Sequence, residues 1–409
     1  MSENATRPPS TRPSRPPGTT EATEIGPGLY LIPGHHPASM WTDANVPNIM
    51  ALHAGRELYL LDTGLGPAQR QAIVNLAGKL GGQFDRVTLL NSHGHADHMG
   101  NNDVLADLGA ASTRHFISEK SAPYFDTLNF FRDAYNEGGE YFDYVSGLDL
   151  SVDALMPLLT RAGLDPGTDP AQLAAIGKDI ADLGLTSVIS HFMGDLMMRN
   201  ISETYPPIHI NVGGATFYEN SAPQAFRYGQ AEWQGWQIGD VCVFQAQGHT
   251  PDGVLFYLPE HRFLFFADET TTIPIWRDTS PDNAARTLGR VLAMVDAGAV
   301  GAIAAGHFPL DVVTGADSIR ATVNGFLAQK NGFESCVHGG LAAFPGTVTI
   351  DQLYDRLSAN RDRMTEALLA MQFPKMPTFF KLTLLNYCRE HLTETRDEAG
   401  RRAFTAASR

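Results

Sequence analysis

Four side chains that can bind a metal ion lie within six consecutive positions of this sequence. The stretch reads His-Gly-His-Ala-Asp-His and supplies His93, His95, Asp97 and His98. Imidazole with carboxylate is a ligand set that suits zinc, iron or nickel. The stretch contains no cysteine, which argues against a closed structural zinc site. We therefore expect a metal centre around which the rest of the chain folds.

The cluster follows a predicted strand and precedes a predicted helix. Residues 86–90 are β-branched and apolar, which is typical of a buried strand, and residues 102–108 can start a helix. Sites in open α/β sheets form where strands deliver their carboxyl ends to loops. The histidines therefore occupy a usual position for a functional site in an α/β fold.

Three later strands are also predicted to end near a metal-competent residue. One apolar run leads into Gly-His-Thr-Pro-Asp-Gly, where His249 lies on a sharp turn that can fix its ring. An aromatic run ends at Asp268, a carboxylate that is costly to bury unless a cation or hydrogen bonds compensate. A third strand, at 300–304, is followed by a Gly-His pair that contains His307.

The pattern His-x-His-x-Asp-His followed by Gly100 resembles the signature of the metallo-β-lactamase superfamily. Further motifs resemble that family in the same order, namely Asp-Thr-Gly at 62–64, Gly-His-Thr-Pro at 248–251, Asp268, and Gly-His at 306–307. The resemblance covers about residues 25–330, apart from a long insertion. It implies an α/β fold, the four-layer αββα metallo-β-lactamase sandwich, here with a long helical insertion and a C-terminal helical extension.

The resemblance also implies a role for each matching residue. Seven side chains would hold two metal ions, in two sets of three and one bridging carboxylate. The sets are His93, His95 and His249 for the first ion, Asp97, His98 and His307 for the second, and Asp268 between them. Asp62 would accept the spare ring N–H of a ligand histidine and fix its orientation. Two zinc ions per chain are expected, with iron or manganese as alternatives.

The chain is expected to contain one large metallo-β-lactamase domain with additions. The predicted parts are a disordered tail at 1–24, the domain at 25–335 with an insertion at 119–207, and the extension at 336–409. The tail lacks the hydrophobic stretch of a secretory signal, and no later segment has the roughly 18 apolar residues of a membrane span. Three widely spaced cysteines without a pairing framework fit a reducing cytoplasm.

Within the extension, residues 336–345 are predicted to form a glycine-containing linker, followed by helices at 351–371 and 379–395. The last residues, 396–409, are expected to be frayed.

The insertion and one early loop supply candidate substrate-binding residues. The insertion begins with many aromatic residues, and the loop between the first two predicted strands overhangs the metal site in relatives. The candidates are His36, Trp41, Phe130, Phe131 and Tyr135. An aromatic stretch also suits a protein core or a subunit contact, so a lid over an apolar pocket and a homodimer contact both remain open.

The resemblance implies hydrolysis by a hydroxide held between two metal ions, with Asp97 as the catalytic residue that orients it. We expect an ester or lactone of a small, hydrophobic molecule as the substrate. The net charge of -15 argues against a nucleic-acid partner, because such binding needs a cationic surface. Alternatives are a thioesterase or β-lactamase, an iron-dependent persulfide dioxygenase-like oxidoreductase, and a binding protein without activity.

Overall fold

Two seven-stranded sheets form the centre of the protein. In the computed structural model, the described residues are 21–35, 46–143, 212–307, 312–360, 364–366 and 378–405. The first sheet has the order β1 to β7, and β4 to β7 run parallel. Its strands are Thr23–Gly26, Leu29–Ile32, Ile49–Ala54, Glu57–Leu61, Arg86–Leu90, Thr113–Ile117 and Thr216–Phe217.

The second sheet has the order β14-β13-β12-β11-β10-β9-β8. Strands β12 and β13 are parallel neighbours, and the other neighbours are antiparallel. Its strands, from β8 to β14, are Gln224–Tyr228, Ala231–Ile238, Val241–Gln245, Val254–Leu258, Phe263–Phe265, Ala302–Ala304 and Val313–Thr314. One hairpin, β8–β9, therefore contains Trp233, and another, β11–β12, leads to Asp268.

Seven α-helices with defined bounds accompany these sheets among the described residues. From α1 to α7 they are Gly66–Lys79, Ala96–Met99, Thr127–Gly138, Pro281–Asp296, Ala316–Leu341, Ile350–Asn360 and Thr378–His391. Helix α4 begins after Ser280, whose hydroxyl caps it by accepting a hydrogen bond from the Asn283 amide. None of the helices in the described part is long and apolar enough to cross a membrane.

The elements stack in four layers. Successive residues of β5 face opposite ways, so Leu89 packs toward α1 while Leu90 packs into the space between the two sheets. Phe256 of the second sheet lies in the same inter-sheet core. Helices α4 and α5 cover the outer face of the second sheet through residues such as Leu288 and Val323. The predicted αββα sandwich is confirmed.

The C-terminal region forms a further core against the start of the insertion. Helices α6 and α7 pack with a three-stranded sheet of order β15-β17-β16, whose strands are Thr347–Val348, Thr393–Arg396 and Arg402–Thr405. Phe380 and Phe404 share this core with Tyr141 and Phe142, which follow α3. The C-terminal helical region thus packs on the start of the insertion.

The linker predicted at 336–345 is wrong in its first part, because α5 continues to Leu341. Val337 and Gly340 are buried in this last stretch of α5. A Cβ atom at Gly340 would lie 2.7 Å from the Leu357 side chain of α6, so the small residue permits close helix packing. The glycines that suggested a linker are instead part of a helix contact.

The frayed end predicted at 396–409 is also wrong for β17, which pairs with β15 and β16. Ala403 and Phe404 are fully buried there, and this burial offsets the entropy lost on ordering the strand. At the other end, β1 begins at Thr23, two positions before the predicted start of the fold. Residues 171–184 of the predicted helical insertion lie outside the described residues, and the domain limits remain predictions.

Candidate metal centre

The sequence-predicted ligands come from loops at neighbouring strand ends of the two sheets. The early cluster follows β5, and Asp97 and His98 lie on the short helix α2 directly after it. His249 follows β10, Asp268 follows β12, and His307 follows β13. The inter-sheet core holds these strand ends side by side, so residues more than 200 positions apart meet at one place.

All seven predicted side chains take part in groups that could hold a metal ion. Each group has its candidate ligand atoms within 4.8 Å of one another. The groups are His93, His95 and His249; His93, His98 and Asp268; and Asp97, His98 and His307. The shared members make the three groups one continuous centre.

Asp268 lies between the two predicted ligand sets. Its Oδ1 is 3.1 Å from His98 Nε2. Its Oδ2 is 3.3 Å from His307 Nε2 and 3.5 Å from His249 Nε2. A carboxylate that faces imidazoles from both sets has the position that a bridging ligand needs.

Within each set, the ring nitrogens and oxygens face one another directly. His95 Nδ1 is 3.1 Å from His249 Nε2. His307 Nε2 is 3.1 Å from Asp97 Oδ2. Two ligands on a tetrahedral zinc ion, each at about 2.0–2.1 Å, would be about 3.4 Å apart. The spacing of these donors therefore fits a metal ion.

Hydrogen bonds to Ser92 and Asp62 set the tautomers of two candidate ligands. The Ser92 hydroxyl donates to Asp62 Oδ2 at 2.7 Å, so it can only accept from His93 Nδ1, which lies 3.0 Å away. The Asp62 carboxylate also accepts from His98 Nδ1 at 2.8 Å. In their neutral forms both rings therefore carry the lone pair on Nε2. Buried His93 Nε2 has no hydrogen-bond partner among the described residues, as expected of an atom that binds a metal ion.

The electrostatics of the centre divide the histidines into two kinds. Burial lowers the pKa of His93 well below its ordinary value, and the neighbouring imidazoles act in the same direction. At His98 burial opposes protonation, but Asp268, Asp62 and Asp97 raise its pKa well above the ordinary value. At His307 the nearby carboxylates overcome burial and raise the pKa to about 9. Carboxylates that attract protons this strongly would also attract a divalent cation.

Two further acidic residues fix the loops of the site by hydrogen bonds. The sequence pattern did not assign either of them to the site. The Glu269 carboxylate accepts hydrogen bonds from the amides of Gly248 at 2.8 Å and His249 at 3.3 Å. Burial raises the pKa of Glu269 to about 8, and these amides act in the opposite direction. Asp252 Oδ2 accepts from the Gly94 amide at 2.6 Å. The sequence suggested only a turn at Asp252, because its partner is 158 positions away.

Aromatic side chains surround the His95 ring. The ring centroids of Tyr124, Phe130 and Trp276 lie 5.2, 5.9 and 6.3 Å from that of His95. The Tyr124 hydroxyl donates to Asp278 at 3.2 Å, which joins the turn before α3 to the loop that carries Trp276. This apolar wall can shield the centre from water and contact a substrate.

Only one of the five predicted substrate residues can be placed by its side chain. Phe130 lies beside His95, as stated above. His36 and Trp41 lie outside the described residues. Phe131 and Tyr135 lie on α3, but the structure describes only their backbone. Their proposed roles stay predictions.

Residues 42–168 match the family model of the metallo-beta-lactamase superfamily. The predicted resemblance is confirmed. The fold resembles that of the hydrolases of this superfamily, and most enzymes of the superfamily are hydrolytic. The matched segment contains the histidine cluster and the start of the insertion, while the later candidate ligands lie beyond it. The metallo-β-lactamase fold typically binds metal ions, and this chain has a candidate site for them.

Several solved structures are similar at low sequence identity. A metallo-beta-lactamase family protein from Thermus thermophilus is 20% identical, with a TM-score of 0.48, over 94% of this chain and 100% of that one. A beta-lactamase domain protein from Burkholderia ambifaria is 15% identical, with a TM-score of 0.48, over 94% and 93%.

The sec-alkylsulfatase Pisa1 from Pseudomonas sp. is 14% identical, with a TM-score of 0.49, over 90% of this chain and 50% of that one. A search of curated proteins finds no match. At these levels of similarity, none of the structures indicates a substrate.

Proposed function

We propose that this chain is a dinuclear zinc hydrolase that cleaves an ester or lactone of a small, apolar molecule. The position of Asp268 carries the proposal, because its two oxygens face histidines of both predicted ligand sets. His93, His95 and His249 would hold one ion, Asp97, His98 and His307 the other, and Asp268 would bridge them. A closed structural site would not need six ligands and a shared carboxylate.

A bound pair of divalent ions would lower the pKa of water from about 15.7 toward about 7 and supply hydroxide at neutral pH. The chain's own residues then position the reacting groups. Asp97 is half-buried beside His307 and can accept a hydrogen bond from the attacking water, which would orient it. Tyr124 and Phe130 would keep bulk water from His95 and offer apolar surface to the substrate.

The donors also suit iron, because imidazole nitrogen and carboxylate oxygen bind both metals and no thiolate is present in the groups. An iron-dependent persulfide dioxygenase-like oxidoreductase is therefore the second candidate. A thioesterase or β-lactamase would use the same centre on a different acyl group, since the loops around a site select its substrate.

Metal quantitation coupled to a substrate panel tests the proposal. Protein purified without added metal should contain close to two zinc ions per chain and should hydrolyse lactones or aryl esters. Thioesters and β-lactams test the acyl group, alkyl sulfate esters test whether an acyl carbon is needed, and persulfide oxidation tests the iron alternative. Iron content with persulfide oxidation would reject the hydrolase proposal, as would a protein that stays inactive after zinc or manganese addition.

A small-molecule substrate without a nucleic-acid or membrane partner is part of the proposal, and the net charge of -15 argues against the nucleic-acid partner. The cytoplasmic location and the homodimer stay predictions.

A further inference from the structure

We propose that Asp252 is a positioning residue for the metal position formed by His93, His95 and His249, a role that rests on the proposed metal centre. Asp252 lies three positions after His249 in the same turn and is only 2% exposed. Its Oδ2 accepts a hydrogen bond from the amide of Gly94, the residue between His93 and His95. One carboxylate thus joins the two loops that carry all three ligands.

The connection matters because these loops belong to different sheets. His93 and His95 follow β5 of the first sheet, and His249 follows β10 of the second. Besides the Asp252 bond, the amide of Val254 donates to the Ser92 carbonyl at 3.0 Å. These two hydrogen bonds fix the loops relative to each other, and so they fix the separation of His95 Nδ1 and His249 Nε2 at 3.1 Å.

A third segment fixes the same carboxylate by a further hydrogen bond. The Ser121 hydroxyl donates to Asp252 Oδ2 at 2.5 Å from the 3₁₀ turn Glu119–Tyr124. Gly94 packs against this turn so closely that a Cβ atom would lie 2.8 Å from the Tyr124 ring and 2.9 Å from the Ser121 carbonyl oxygen. The Gly94 amide can therefore reach Asp252 only because the residue between the histidines has no side chain.

The charge of Asp252 adds to this geometric role. Its Oδ1 is buried and has no hydrogen-bond partner among the described residues. The first ligand set consists of three neutral imidazoles, so a buried carboxylate held beside it would favour a divalent cation there.

Two substitutions separate the hydrogen bond from the charge. Asp252→Ala removes both, and Asp252→Asn keeps an oxygen that can accept from Gly94 while removing the charge. Apo-protein is titrated with zinc in competition with a chromophoric chelator, which gives the number of ions and the affinity of each. We expect Asp252→Ala to lower the affinity for one of the two ions by about 10- to 100-fold, as mutation of the outer partners of metal ligands typically does. Asp252→Asn should fall between that variant and the wild type.

Asp278→Ala is the matched control, because it removes a loop carboxylate that also bonds near His95 but contacts Tyr124 instead of a metal-bearing loop. It should bind both ions like the wild type. Circular dichroism of each apo-protein checks folding. If the alanine variant fails to fold, the zinc affinity of Asp252→Asn, which keeps the size and the acceptor oxygen, tests the inference.

Wild-type affinity for both ions in Asp252→Ala, or in Asp252→Asn where only that variant folds, would overturn the inference while leaving the proposed function intact. An equal loss of zinc affinity in Asp278→Ala would overturn the inference too, since the loss of any nearby loop carboxylate would then have the same effect. A wild-type protein that binds no zinc would instead reject the proposed function itself.

Discussion

The Ser92 hydroxyl fixes a candidate metal ligand at the scale of a single residue. It donates to Asp62 and accepts from His93 Nδ1, so the ring can present only Nε2 to a metal ion. Asp62 itself has a φ of 65°, a conformation that residues other than glycine rarely adopt. Asp62 therefore has a strained backbone conformation at a strand end, where the groups that it orients hold it. Such strain points to a functional constraint.

Replacing Ser92 with Ala should therefore weaken the metal centre without removing a ligand. The His93 Nδ1–H would lose its acceptor in a buried place, and the ring could adopt the other tautomer. We expect zinc affinity to fall by about 10- to 100-fold. Zinc retention during dialysis against a chelator measures this, with Ser112→Ala as a control, because the Ser112 hydroxyl bonds only an exposed carbonyl. Unchanged retention would contradict the tautomer argument.

The His95→Ala substitution tests a ligand directly. Since His95 Nδ1 faces His249 Nε2, its loss leaves the first ligand set with two imidazoles. We expect turnover to be abolished and at least one metal position to be empty by elemental analysis. Full activity in this variant would reject the role assigned to His95.

Helix α3 is the element that couples the metal centre to the C-terminal region. Phe130 on this helix contacts His95, while Glu137, two helical turns further along, binds Arg389 of α7 at 2.6 Å and Arg277 at 3.1 Å. Both arginines are at least partly exposed, so each pair contributes modestly to stability. The pairs instead set where α3 lies.

Glu137→Gln should thus loosen α3 with little cost in overall stability. We expect the free energy of unfolding to fall by about 1 kcal/mol or less. KM for an apolar ester should rise several-fold while kcat and KM for a small acetyl ester change little, because only the apolar substrate uses the aromatic wall. Steady-state kinetics on the two esters measure the difference, and an equal effect on both would contradict a positioning role for α3.

Sheet stability below the metal loop should depend on pH through His115 of β6. Its Nε2 donates to Asn91 Oδ1 at 2.6 Å, and burial lowers its pKa to about 4 from 6.5. The unfolded chain binds a proton more readily than the folded one, so this stabilisation is present above about pH 6.5 and is lost as pH falls toward 4. His115→Gln should remove about 2 kcal/mol of the stability difference between pH 5 and pH 7. Urea unfolding of the apo-protein at pH 5 and pH 7 measures it, and equal pH slopes would contradict it.

The elements and the ligands differ in how far the sequence predicts them. The strands before His93 and Asp268 were predictable because each is a short apolar run next to a turn. Strand β17 was not, since four residues with one large apolar side chain give no local signal. One of its partners, β16, is the preceding strand, but the other, β15, lies more than 50 positions away. Asp252 was missed for the same reason, because only the fold brings its acceptor oxygen to Gly94.

At the scale of the whole molecule, the candidate ligands tie the two sheets together. The first sheet supplies His93, His95, Asp97 and His98, and the second supplies His249, Asp268 and His307. A metal ion bound by both sets would act as a cross-link between the sheets in addition to their shared apolar core.

Removal of metal should consequently destabilise the entire sandwich. An ion that binds only the folded chain adds about 2.7 kcal/mol of stability when its free concentration is 100 times its dissociation constant. We expect Tm to fall by several degrees after chelation and to rise again in steps of added zinc. Scanning calorimetry measures this, and magnesium, which prefers all-oxygen octahedral sites, is the control that should leave Tm unchanged. Because the ligands come from both sheets, the two should lose stability in a single transition. A Tm that does not respond to zinc would show that these seven side chains do not hold a metal in the folded protein.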